Sequence, residues 1–137
     1  MSFGEAIAPL VGRCMLAGFF LLAALQKIQN WNDTTFYMAQ HGIGAIPILL
    51  ALSIVVEAGA GFALVLGFRT RPMTLILFLY VLVVSFLLHD FWAITDPDLV
   101  RAETQLFAKN MAIAGGLLVL FGNGAGRWSY DSWREGD

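Results

Sequence analysis

One carboxylate sets the problem for the whole chain. Glu57 lies near the middle of the apolar run 45–67, AIPILLALSIVVEAGAGFALVLG. A bilayer crossing takes roughly 20 helical residues at about 1.5 Å each, so this run is long enough to span. A charge at that depth is opposed by about 2.5–3.5 kcal/mol on insertion scales, and the folded chain must offset it. The other residues able to do chemistry are few. Lys27 closes the first apolar run, His89 and Asp90 close the third, and Lys109 and Asn110 open the fourth. Three roles are open to such a set. Glu57 can pair with Lys27, Lys109 or Arg13 and fix helix register without adding stability. The cluster can line a pocket for a polar head, such as a quinone ring or a small anion. With His89 and Asp90, Glu57 can also relay protons.

Other chemistries are poorly served. Cys14 is the single cysteine and sits inside an apolar run, so neither an intrachain disulfide nor dithiol exchange is available without a partner thiol. His41 and His89 raise a bis-histidine haem between facing helices. His41, however, precedes Gly42 on a surface segment, and neither histidine has an evident partner, so haem is disfavoured. His89 with Asp90 supplies two metal ligands, which do not make a site, and no metal is expected. Gly122, Gly124 and Gly126 loosely echo a phosphate loop, but no strand precedes them and no helix clearly follows.

The elements that must position these groups are legible from composition. The chain is 137 residues long, 58% hydrophobic and 13% charged, against about 45–50% and about 25% for an ordinary soluble domain. So much apolar surface cannot be hidden in one small soluble core. An all-α integral membrane bundle is expected, with the lipid bilayer as its partner. Net charge is −2 and no basic run is present, which argues against nucleic acid.

Four spans are read, at about 7–28, 45–67, 72–90 and 106–122. The first lacks the basic start and short apolar core of a signal peptide and is taken as a mature span. Between spans one and two, Asp33 is expected to cap, and Gly42 to end, a short helix at the bilayer surface, where Trp31, Phe36 and Tyr37 fit. Asp96 followed by Pro97 predicts a helix start that continues through Lys109 into the fourth span. Small residues mark expected close packing: Gly18, four after Cys14, on the first span, and Gly59, Gly61, Gly115 and Gly116 where spans two and four approach. Phe91 and Trp92 read as interfacial belt residues. Arg13, Arg69, Arg71, Arg127 and Arg134 share one side with both termini, which the positive-inside rule makes cytoplasmic. Lys27, His89, Asp90, Lys109 and Asn110 then gather in the opposite half, with Glu57 about 18 Å deep. One four-helix membrane domain accounts for residues 1–137.

A set of ordered residues adds to this reading. Gly12-Arg13 and Lys27-Ile28 on the first span are followed by Glu57, Gly61, Gly67 and Arg71. Then come His89-Asp90-Phe91-Trp92, Phe107, Lys109, Asn110, Gly115-Gly116, Gly124, Gly126, Ser129 and Asp131. Together they resemble the DoxX family of small bacterial four-helix membrane proteins. Ala24 and Ala60 stand where the family pattern has glycine, small-for-small changes that affect fit more than chemistry. The resemblance implies a bacterial inner-membrane protein, and some relatives are associated with quinone-linked sulfur oxidation or oxidative-stress complexes. The expectation is a non-catalytic accessory subunit beside other membrane-protein subunits of a redox-linked complex. The alternatives are a quinone-linked oxidoreductase component with its head site around Glu57, or a carrier of a small lipophilic or anionic solute.

Overall fold

In the computed structural model, which describes residues 2–136, the ordered elements are helical. They are α1 (Phe3–Gln29), α2 (Trp31–Gln40), α3 (Ile46–Leu66), α4 (Thr70–Leu88), a 3-10 turn (Phe91–Ala93), α5 (Pro97–Asn123) and α6 (Tyr130–Glu135). Four helices are long and apolar enough to cross a membrane, and they fall on the four apolar runs. α5 starts as the sequence predicts: Asp96 accepts a hydrogen bond from the Asp98 N–H at 3.0 Å, with Pro97 in the first turn. The surface helix starts earlier than predicted. Asn30 alone separates α1 from α2 and occupies the cap, so Asp33 falls inside the helix. Asn30 still bonds the Gln26 carbonyl through both its backbone and its side chain, which ends α1 and turns the chain within one residue.

The spanning helices form a ring in the order α1, α3, α4, α5, with α1 against α3 and α4 against α5 as the main pairs. Small buried residues, Ala17 and Ala24 on α1 and Ala60 and Gly61 on α3, let the two helices approach, and the larger Phe20 and Leu64 are buried in the same core. A Cβ at Gly61 would stand 3.3 Å from the Leu21 side chain, tighter than ordinary contact. Leu77 and Val81 of α4 and Ala114, Leu117 and Leu120 of α5 complete the core. α3 and α5 stand on the diagonal of the ring, so the expected approach of spans two and four through glycine does not occur. Gly61 faces α1, and Gly116 lies 3.7 Å from Leu16 of α1 at its would-be Cβ. Gly18, Gly59 and Gly115 are exposed with open space around them, so they point outward rather than into a helix seam.

Large apolar side chains cover the outside. Met15, Ile48 and Val55 are 71%, 72% and 65% exposed, a continuous apolar surface that water would not tolerate and lipid would.

At the end carrying both termini, a latch holds residues 124–135 against the bundle. Arg13, 2% exposed, donates to the carbonyls of Ala125 (2.6 Å), Trp128 (3.0 Å) and Val65 (3.3 Å). It is therefore a strap for the tail and not the partner of Glu57. Gly67 (φ 67°) makes room for Ser129, whose Cβ a side chain at 67 would strike. Asp131 accepts from the backbone N–H groups of Arg69 and Thr70, both at 2.8 Å, and so caps α4 from a distant part of the chain. α4 has no side-chain cap of its own, because Arg69 at the cap position carries no acceptor.

Two outcomes follow from the latch. Arg13→Met should strip one buried and two part-buried carbonyls of their charged donor, costing about 3 kcal/mol of stability. Limited proteolysis would read this as faster cleavage after residue 123, and an unchanged tail would contradict it. The second outcome concerns acid. Burial alone would raise the Asp131 carboxyl, but the Thr70 and Arg69 N–H groups, with Arg134 nearby, hold it below the usual carboxylate range. A group with a depressed folded pKa stabilises above its unfolded value and loses that contribution as pH falls. Below about pH 4 the tail should therefore exchange its amide hydrogens faster while α3 stays protected.

Candidate functional site

The hairpin α3–α4 turns at Arg69; Glu57 precedes that residue by 12 positions (69 − 57) and Tyr80 follows it by 11 (80 − 69). Antiparallel helices with equal rise bring two such residues to one depth. There the Tyr80 hydroxyl donates to Glu57 Oε1, and Lys27 Nζ reaches the same oxygen from the last turn of α1 at 2.6 Å. Glu57 is 2% exposed, while the Lys27 side chain keeps 25% of its surface. Glu57 Oε2 is buried without a hydrogen-bond partner among the described residues. The carboxylate thus has one oxygen doubly bonded and one left over, beside an ammonium with two further protons to give.

A second polar centre lies at the outer end of α4. His89 Nδ1 stands 2.6 Å from Glu103 Oε2, and Tyr37 OH stands 2.9 Å from Glu103 Oε1. A carboxylate oxygen can only accept here, so Nδ1 carries the histidine proton. The Leu88 carbonyl is also 2.9 Å from the Tyr37 hydroxyl, which shares its one proton between two acceptors. Burial, then the hydrogen bond and charge of Glu103, push the Tyr37 phenol up from its ordinary value and keep it a neutral donor. His41 Nε2 lies 3.5 Å from Asp90 Oδ1 alongside. Each histidine therefore has a carboxylate neighbour, contrary to the expectation that neither would.

Between the two centres is a cavity of about 570 Å³. Lys27 and Tyr80 line its deep end, Tyr37 and His89 its outer end, and Thr34 and Met38 of α2 cover it. The remaining wall is chiefly leucine and valine from α3 and α4. Leu52, Val83 and Leu87 line it and are more than half exposed, so the cavity opens at the lipid-facing surface between α3 and α4. α2 is thus a lid element: a short helix over the open end of the ring.

Of the residues that the sequence singles out, the structure gathers Lys27 and Glu57 at one centre and His89 at the other, with Asp90 against His41. Lys109 is not part of this group. It is exposed, and its ammonium stands 5.4 Å from the Phe19 ring centroid, a cation–π contact between α5 and α1. Asn110 is buried on α5 and makes no hydrogen bond to Glu57, Lys27 or His89.

Tyr80, Tyr37 and Glu103 are the residues that sequence reasoning missed. A tyrosine in an apolar run reads as packing, yet its position mirrors Glu57 across the hairpin. Glu103 sits among exposed polar residues, but it shares a buried stripe with Asn110, Ala114 and Leu117 at helical spacing.

Lys27→Met should leave Glu57 as an uncompensated buried charge and lower stability by about 3–5 kcal/mol. Adding Glu57→Gln should restore much of that loss in a double-mutant cycle of thermal unfolding in detergent. Simple additivity of the two changes would show that the pair is not coupled.

Comparison with known proteins agrees with the architecture. A family model described as DoxX matches residues 8–90. Inner membrane protein YphA of Escherichia coli (strain K12) is 33% identical over 133 residues, covering 95% of this chain and 94% of that protein. Inner membrane protein YqjF of the same organism is 32% identical over 127 residues, covering 93% and 92%. The Surfeit locus protein 4 homolog of Schizosaccharomyces pombe is 23% identical over 130 residues, 82% of this chain and 42% of that protein. No solved structure matches.

Proposed function

The chain belongs to the DoxX family, and on that premise we propose that it binds a lipophilic molecule by a small polar head, a quinone being the class that fits. The observation that carries this reading is the cavity with an apolar wall, a lipid-side mouth, a lysine donor at its deep end and polar side chains at its outer end. Lys27 has protons to spare after bonding Glu57, and a quinone carbonyl accepts such hydrogen bonds. Glu57, itself held by Tyr80, keeps Lys27 in place, and at the outer end Glu103 holds His89 and Tyr37. The leucines and valines suit a ring's methyl groups and the start of an isoprenoid tail.

On this reading the chain holds a ligand for a larger assembly. Cys14 is its single thiol, so electrons for a bound quinone come from a partner subunit. The protein acts as an accessory subunit of a redox-linked complex in the bacterial inner membrane, with its termini cytoplasmic. The mouth between α3 and α4 also favours a second reading, in which the same site carries a small lipophilic solute. A carrier would exchange labelled solute across vesicles holding this chain alone; a subunit would bind without exchange.

A short-chain ubiquinone titrated into the detergent-solubilised full chain tests the binding shared by both readings. Glu57→Gln should weaken binding on the order of tenfold or more, as loss of a charge-assisted anchor implies, with the helical spectrum unchanged. Equal affinity in that variant overturns the site.

A further inference from the structure

The end of the bundle that carries both termini holds a second and larger cavity, of about 860 Å³. Its rim carries Arg69 and Arg71 from the start of α4 and Arg127 and Arg134 from the tail. Two carboxylates, Asp131 and Glu135, also line it, leaving a net charge of +2. Asp131 is already committed, its two oxygens capping α4 through the Arg69 and Thr70 N–H groups. None of the four guanidiniums forms an ion pair with a described carboxylate. Arg71 lies beside Gly124 and donates to the Gly122 carbonyl at 3.4 Å, Arg69 stands 5.8 Å from the Phe68 ring centroid, and Arg127 and Arg134 are exposed. Four forked donors around a cavity suit an anion with several equivalent oxygens, as a phosphate has.

Its surroundings select the source of that phosphate. The cavity sits where α3 ends and α4 begins, at one end of the spanning helices. Beside it, Phe68, Tyr130 and Trp133 form a chain of rings with centroids 5.4 and 5.5 Å apart, each ring exposed. Trp128 is exposed nearby. Amphipathic rings in such a group belong at the membrane–water boundary. A free phosphate has no use for an aromatic flank, whereas a lipid brings glycerol and acyl carbons to cover it.

We propose that the arginine-rimmed cavity binds the phosphate of an anionic phospholipid from the leaflet on the side of the termini. The lipid offsets part of the rim charge and seats the tail against the bundle, independently of the quinone-class site at the opposite end. The attraction is electrostatic and partly exposed, so it weakens as salt rises.

Native mass spectrometry of the delipidated full chain in mild detergent tests this, with dioleoylphosphatidylglycerol and dioleoylphosphatidylcholine added at equal concentrations. The glycerol lipid should be retained on the order of tenfold more than the choline lipid. The triple change Arg69→Gln, Arg127→Gln and Arg134→Gln should bring the two to parity. The milder pair Arg127→Gln and Arg134→Gln lies wholly in the exposed tail, away from the helix start, and should reduce the preference in between. Equal retention of the two lipids by the unaltered chain overturns the proposal, as does an undiminished preference in the folded double variant. Inorganic phosphate alone is the third arm: if it displaces the glycerol lipid at comparable concentration, the site is for a free anion and the lipid assignment fails.

Discussion

The pairing of Glu57 with Lys27 is the constraint on which the rest of the bundle depends. A carboxylate buried at mid-depth cannot be hydrated, so α1 and α3 must meet in the one register that brings Lys27 to it. The small residues Ala17, Ala24, Ala60 and Gly61 permit that approach, and the hairpin fixes the depth at which α4 delivers Tyr80. Three helices are thereby tied at one point. α5 is held differently, by apolar packing in the core and by the Glu103 bridge to His89 and Tyr37.

The two ends of the molecule solve opposite problems. At the end with the termini, the tail folds back and uses up the carbonyls and N–H groups left over where helices stop. Arg13 and Asp131, of opposite charge, do this with backbone partners and not with each other. At the other end the helices diverge, α2 covers the opening, and polar groups are left facing a cavity. One end is closed by satisfying the backbone; the other is kept open by side chains that satisfy one another.

The four spans and the helix start at Asp96 and Pro97 could be read in the sequence, since length, hydropathy and capping chemistry determine them; the burial cost of Glu57 called for something to offset it, with Lys27, Lys109 and Arg13 as candidate partners. Which one could not be read. Lys27 and Lys109 both have long stems near the outer face, and only the ring order of the helices puts one beside Glu57 and the other over Phe19. The glycines misled for the same reason. A small residue in a span signals close contact only if that face is turned inward, and Gly18, Gly59 and Gly115 are turned outward. Tyr80 and Glu103 escaped because a single hydroxyl in an apolar run, or a single acid in a polar link, looks ordinary until its neighbours are placed. In the sequence the tail glycines are weighed against a phosphate loop, whereas Gly67, Gly124 and Gly126 are the points where the docked chain passes too close for a side chain or turns into the left-handed region.

The long-range cap on α4 carries a consequence for biogenesis. Residue 131 is synthesised 61 residues after the helix start that it caps, at Thr70 (131 − 70). The α3–α4 hairpin must therefore enter the membrane with its turn unfinished, and its amide donors wait in the interface until residue 131 arrives. Docking of the segment around Asp131 is thus a late step that closes the turn, and a chain cut before it leaves those amide donors and the arginines beside them uncovered.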